Sequence, residues 1–330
     1  MKRISLAVLA AVALSLVTAC SEGEEPVAAK ASGNPLLAYV PPDSPYLGGN
    51  LEPAPSEVID GFLQKWEPVT ATLQSRLSGV RTRLESESVA TDATHRLVLS
   101  VLQELDGKLN RKGLESLGFD LQAHQVIYAI GGVFPVTRIS LGDAGTLAAT
   151  VQRVMERAGL QAAERKFQDQ AYWRLGGSEF TAGGSEIPAA VYIAVREDHL
   201  ALSIFPDTAE GELLPLFLGI QKPPASDAEA RLQAINSKYG YTPYFSAVLD
   251  VQLLADQFLN PDSLLVTKYA GEHAAALETL SNSCKVEFRK IIGHTPRLVM
   301  GATELEPAAI GMQYVVETEP MIAQQLVALL

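Results

Sequence analysis

The chain has 330 residues, with 26 basic against 38 acidic side chains and a formal charge of −12. A surface this acidic, with no basic cluster to offset it, excludes nucleic acid and anionic headgroups as natural partners. The length allows about two ordinary domains, each large enough to bury a core without staples, and only two cysteines, Cys20 and Cys284, occur in the whole chain.

The first element is the N-terminal segment. Lys2 and Arg3 form a positive region, Ile4 to Leu16 form an apolar run, and Val17-Thr18-Ala19 lead with small residues into Cys20. A spanning helix wants about twenty apolar residues, and this run is shorter and ends before the acidic Ser21-Glu-Gly-Glu-Glu25. A retained anchor and an ordinary cleaved signal with an incidental cysteine are the alternatives. The order of charge, apolar run, small residues and cysteine resembles a bacterial lipoprotein precursor. The resemblance implies that residues 1–20 are a signal peptide and that Cys20 becomes a lipidated N-terminus. The membrane would then be a partner through that anchor, since two or three acyl chains hold firmly where one holds weakly. In a Gram-negative host, Ser21 at the position after the cysteine resembles an outer-membrane address on the periplasmic side. Loss of Lys2 and Arg3 would leave 24 of the 26 basic side chains against 38 acidic ones, or −14.

Residues 21–34 are polar and read as a flexible tether, with a mean reach on the order of 20 Å. From Leu36 the expectation is a recurring unit of two short strands followed by an amphipathic helix. The first comprises LLAYV (36–40), YLGGNLEP (46–53) and a helix capped by Ser56, continued past Pro68 through Val69 to Leu84. A second inserted helix, Ala93 to Leu109, carries Leu97, Val101, Leu105 and Leu109 on one face. The clearest unit has strands at Val126–Gly132 and Val136–Leu141, then a helix with Asp143 as cap, Leu147, Val151, Val154, Met155 and Ala158 as its apolar face, and Gly159 as its stop. Next come strands at 189–195 and 200–205 with Asp207 opening a helix, a lone strand at 244–249 with Asp250 before another helix, and strands at 297–303 and 309–316 before a C-terminal helix, Met321 to Leu330. Hairpins make antiparallel neighbours, so the predicted fold class is α+β, an antiparallel sheet of repeated strand-strand-helix units with the helices packed on one face. The proline-containing stretch Gln221 to Asp227 suggests a first α+β domain over 35–222 and a second over 228–330, or one continuous body. Phrases such as LESLGFDL (114–121), FPVTRISLGDAG (134–145) and PRLVMGATELEP (296–307) resemble uncharacterised repeat-containing envelope protein families, a likeness that carries no catalytic residue across.

Local chemistry is sparse. His95, His124, His199, His273 and His294 lie far apart with no zinc-binding spacing, so no metal site is expected, and nothing calls for a cofactor. Ser178 and Ser185 follow glycine pairs but lack the closing glycine of a nucleophile elbow and read as a hairpin tip. Cys284 shares helical spacing with Phe288, Ile291 and Ile292, as expected of a small buried hydrophobe. Tyr172, Trp173, Tyr239, Tyr241 and Tyr244 form the candidate binding surface, because clustered aromatics with polar handles suit glycan or protein contacts. Catalytic residues stay unassigned. The first functional reading is a lipid-anchored cell-envelope protein acting non-catalytically in binding, scaffolding or assembly with an envelope protein partner. An envelope-polymer hydrolase with a nonlocal active site and a carrier of an apolar ligand remain the alternatives.

Overall fold

Short runs rich in Val, Ile, Tyr and Phe supply the strands of an antiparallel sheet. They are β1 (Tyr46–Gly49), β2 (Gln125–Ile130), β3 (Phe134–Ser140), β4 (Glu164–Phe167), β5 (Gln170–Leu175), β6 (Ala189–Val195), β7 (His199–Pro206), β8 (Ser246–Asp250), β9 (Arg297–Leu305) and β10 (Ile310–Glu317). Their order across the sheet is β10-β9-β8-β1-β2-β3-β7-β6-β5-β4. The structure, a computed structural model, describes residues 33–86, 93–176, 189–224, 226–260, 262–263, 281–307 and 309–319. The expected signal peptide, nearly all of the expected tether, Ser178, Ser185, His273 and the expected C-terminal helix lie outside the described residues.

The helices are α1 (Ser56–Ser86), α2 (Ala93–Leu105), α3 (Arg111–Glu115), α4 (Ala144–Ala158), α5 (Glu210–Phe217), α6 (Ala228–Tyr239), α7 (Val251–Leu259) and α8 (Asn282–Gly293). α4 forms as its sequence dictates. The Asp143 carboxylate accepts the Thr146 amide at 2.9 Å, Leu147, Val154, Met155 and Ala158 are buried, and Gly159 ends the helix at φ 70°, a conformation that penalises any Cβ. Asp250 caps α7 in the same way. Pro68 sits inside the continuous α1. The phrases at 114–121 and 134–145 meet in space. The Gly118 carbonyl accepts the amides of Gly142 and Asp143, both at 3.1 Å, and a side chain at Gly118 would overlap the Asp143 carbonyl.

Several expectations are corrected. LLAYV is not a strand. Pro35–Tyr39 is a 3-10 turn whose Asn34 side chain accepts the Leu36 amide, with Pro35 fixing its start, so the first hairpin does not exist. Asn34 is itself buried, donating to the Asn50 carbonyl at 2.8 Å and the Gln125 carbonyl at 3.0 Å. Ser56 is the first residue of α1, and the Pro55 carbonyl accepts its opening amides. Asp207 does open the helical stretch, as the first residue of a 3-10 turn that runs into α5, and its side chain pairs with Arg174. The buried line of α2 runs through Leu97, Ser100, Leu102 and Glu104, while Val101 is exposed. The buried side of α2 is rotated from its purely apolar line because it carries the carboxylate of Glu104. β4 and β5 form a hairpin that no sequence cue announced, closed by Gln168 and Asp169 at φ 46° and 66°. Those are the positive φ values that a two-residue hairpin turn requires.

The helices do not share one face. Successive side chains of a strand point to opposite faces, and β5 and β6 feed two cores. Tyr172, Ala190, Tyr192 and Ala194 pack with Leu213, Phe217 and Leu232 of α5 and α6. Trp173 and Leu175 pack with Leu97 of α2 and Val154, Met155 and Ala158 of α4, with Val191, Ile193 and Val195 alongside. Strands from both sides of Gln221 to Asp227 belong to one sheet, since β1 pairs with β2 and β8. The structure is therefore mixed helix and sheet built on one antiparallel sheet.

Candidate interaction surface

The most deeply placed polar group is Arg138 on β3, fully buried on the face covered by α5 and α6. Its guanidinium donates to the Tyr128 hydroxyl at 2.8 Å and to the Phe217 and Leu216 carbonyls at 2.7 and 3.3 Å. It also lies 4.0 Å from the centre of the Tyr39 ring. A cation at the C-terminal carbonyls of α5 is favoured by the helix dipole. Its remaining partner is His199 Nε2 at 2.6 Å, and His199 Nδ1 meets the Asp198 carboxylate at 2.6 Å. Burial pushes the imidazole down to about 4, the guanidinium adds to that push and Asp198 opposes it. Asp198 and His199 are thus arranged like two members of a catalytic triad, but the third position holds a guanidinium in place of a hydroxyl. Such a group is no nucleophile and gives up no proton to the imidazole at neutral pH, so the pair holds the fold together at this position.

The other charged clusters are occupied in the same sense. Glu104 of α2 receives Arg153 at 2.7 Å and Arg157 at 2.8 Å from α4, and Lys108 at 3.0 Å. The hydrogen bond from Arg153 leads in holding its carboxyl down at about 2, with Lys108 helping and burial opposing. Among the described residues no group of three His, Cys, Asp or Glu could hold a metal, and no helix is long and apolar enough to cross a membrane.

The five candidate aromatic residues do not converge. Tyr172 and Trp173 point to opposite faces of β5 and both are buried. Tyr172 donates to Glu210 at 3.0 Å, and burial, then that carboxylate, push its hydroxyl up to about 12. Tyr239 and Tyr241 do come together, with ring centroids 5.6 Å apart, beside β9 and β10 at the far end of the sheet order. The Tyr239 hydroxyl donates to Glu317, which also receives Lys238 at 2.7 Å and Arg297 at 2.8 Å. The Tyr241 ring lies over Gly301. Tyr244 is half-buried, its hydroxyl pushed up by burial and by Glu52 and Glu57. These side chains serve packing and ion pairs at separate places.

What the sheet does offer is an apolar surface on the face that α2 and α4 partly cover. The register places Leu298 of β9 opposite Val316 of β10, Met300 opposite Tyr314 and Ala302 opposite Met312. The row continues through Leu249 and Ala247 of β8, Tyr46 and Gly48 of β1, Ile127 of β2, Thr137 of β3 and Leu202 of β7, with Ile204 farther along that strand on the same face. Ile127, Ile204, Leu298, Ile310, Met312, Val316 and Tyr314 are exposed, the last by 73%. Nearby helix α8 presents Val286, Phe288 and Ile291 to the surface, and Cys284 is exposed. This corrects the expectation of a buried cysteine face, since every residue of α8 stays outside the core. The alternation Ile310, Met312, Tyr314, Val316 is legible in the sequence as a strand, but which of its faces meets solvent depends on pairings that only the fold supplies. Clustered exposed apolar side chains mark interaction surfaces on other proteins. No protein-family model, no curated protein and no solved structure matches this chain.

Proposed function

We propose that this chain is a lipid-anchored cell-envelope protein that acts without catalysis, holding an envelope protein partner against the open apolar face of its sheet. The observation that carries the binding role is the set of exposed apolar side chains on one face of the sheet, Ile127, Leu298, Met312, Tyr314 and Val316. The order of charge, apolar run, small residues and Cys20 supports the anchor, and in a Gram-negative host the site of action would be the periplasmic side of the outer membrane. Proteins at interfaces use such apolar centres with polar rims. The shared strand-strand-helix order of 125–158 and 189–217 supports duplication of one unit in the history of the fold. A hydrolase fits less well, because His199 faces Arg138, and a carrier would want its apolar side chains enclosed.

The test combines the two halves of the reading. Metabolic labelling with a fatty acid marks the wild-type chain and not Cys20→Ser, whereas undiminished labelling of the variant ends the lipoprotein reading. Ile127→Glu, purified from detergent-solubilised envelope beside the wild type, loses a co-purifying protein while keeping its fold. An unchanged set of co-purifying proteins removes this face as the binding surface.

A further inference from the structure

We infer that two copies of this chain pair edge to edge through β10, antiparallel, about a twofold axis at Gln313. The two ends of the sheet differ in kind. β4 is four residues long and carries Glu164, Arg165 and Lys166, the short charged edge with which proteins block sheet extension. β10 has eight residues, Ile-Gly-Met-Gln-Tyr-Val-Val-Glu, with no charge before Glu317 and no proline, and among the described residues no strand pairs with its outer side. In a chain of formal charge −12, an uncharged edge is the place where a second acidic copy meets least repulsion.

The strand is complementary to itself. Residues directly opposite in an antiparallel pair share a face, so a twofold axis perpendicular to the sheet must run midway between one residue and its own copy. An axis at Gln313 sets Met312 opposite Tyr314 of the second copy and Ile310 opposite Val316, apolar against apolar, on the exposed face. Glu317 falls opposite Ala309, so the carboxylates do not meet, and each is already matched by Lys238 and Arg297 of its own chain. The exposed apolar side chains of the two β10 strands become neighbours on one face. The pairing rests on β10 alone, whether or not the rest of the face binds another protein.

Sedimentation equilibrium of the detergent-solubilised full chain gives a dimer. Met312→Lys with Tyr314→Lys places like charges opposite each other across the axis and weakens the dimer at least tenfold, while the circular dichroism spectrum stays that of the wild type. Met312→Lys with Tyr314→Glu sets opposite charges against each other and restores it. In a Cys284→Ser background, Gln313→Cys forms an intermolecular disulfide on mild oxidation, and Arg165→Cys on β4 does not. A monomeric wild type, a dimer indifferent to the lysine pair, failure of the charge-matched pair to restore association, or equal cross-linking from β4 each overturns the inference.

Discussion

Arg138 Nη1 lies 2.6 Å from His199 Nε2 with both side chains out of contact with water. The guanidinium can only donate, so Nε2 must accept, and the proton of a neutral imidazole sits on Nδ1 and is given to Asp198. Folding thus fixes one tautomer and disfavours the imidazolium.

Acid should therefore weaken the protein in a defined window. The His199 imidazole stands at about 4 in the folded chain against about 6.5 when unfolded. Between these values the unfolded chain holds a proton that the folded one refuses, so stability is full above pH 6.5, falls as pH drops, and levels off below 4. The loss amounts to about 3 kcal/mol at most. Urea titrations at a series of pH values should show this slope, and His199→Gln, which can still accept from Arg138, should flatten it. An equal slope in the variant assigns the effect to another group.

Arg138→Met removes the donor for Tyr128, His199, Leu216 and Phe217 at once. Apolar replacement of a buried ion is tolerated when its partners leave with it, but here they stay behind unsatisfied. A loss of about 3 kcal/mol follows. Arg138→Lys should recover little of it, since one ammonium cannot reproduce the planar fork. Chemical denaturation of the two variants decides, and a stable methionine variant would contradict the network.

Glu104→Gln should loosen the join between α2 and α4, leaving Arg153, Arg157 and Lys108 around a neutral amide. Two of these cations are nearly half exposed, so water recovers part of the interaction, and the expected loss is about 1–2 kcal/mol. Because the carboxyl stands at about 2, the wild-type advantage is complete above the unfolded value of about 4.3 and disappears toward pH 2. Calorimetry of wild type and variant at pH 7 and near pH 2.5 should show the difference shrinking.

Two glycine replacements should move stability in opposite directions. A Cβ at Gly79 of α1 meets nothing within 4 Å, so Gly79→Ala should stabilise by about 0.5–1 kcal/mol through helix propensity. A Cβ at Gly301 of β9 would enter the Tyr241 ring, which stacks on Tyr239 and is buried, so Gly301→Ala should cost about 1–3 kcal/mol. Melting temperatures that shift in the same direction would show that Tyr241 can move aside.

Cys284 should react with a thiol-specific reagent in the folded protein about as fast as in the urea-unfolded chain, since it is exposed on the first turn of α8. Marked protection in the native state would place α8 against something that covers it.

Much of the fold was legible wherever local chemistry decides. Asp143 and Gly159 bracket α4, Asp250 opens α7, and the β2–β3 and β9–β10 hairpins follow their turn residues. The reading failed where a distant partner decides. LLAYV has strand composition, yet Asn34 and Pro35 start a 3-10 turn there. Glu104 is held at the buried side of α2 by two arginines of α4, partners that no local spacing reveals. Tyr172 and Trp173, adjacent in sequence, were joined into one surface although a strand must send them to opposite faces. The exposed row could not be read at all, because no single strand shows which side its neighbours leave open.

The four residues of β1 hold the two halves of the sheet together, and Leu47 finds Val248 some two hundred positions later in the chain. Contacts so remote in sequence close late and slow the search for the native state. Until residues near 250 have emerged, β1 has only its β2 side occupied, and the first half carries an open strand edge in mid-sheet. The order of synthesis thus becomes a timing device. A chain stalled or cut before β8 would keep the opposite side of β1 available to other strands, so premature release should yield aggregates, while a chain kept extended until its C-terminal third is present closes the sheet in a single step.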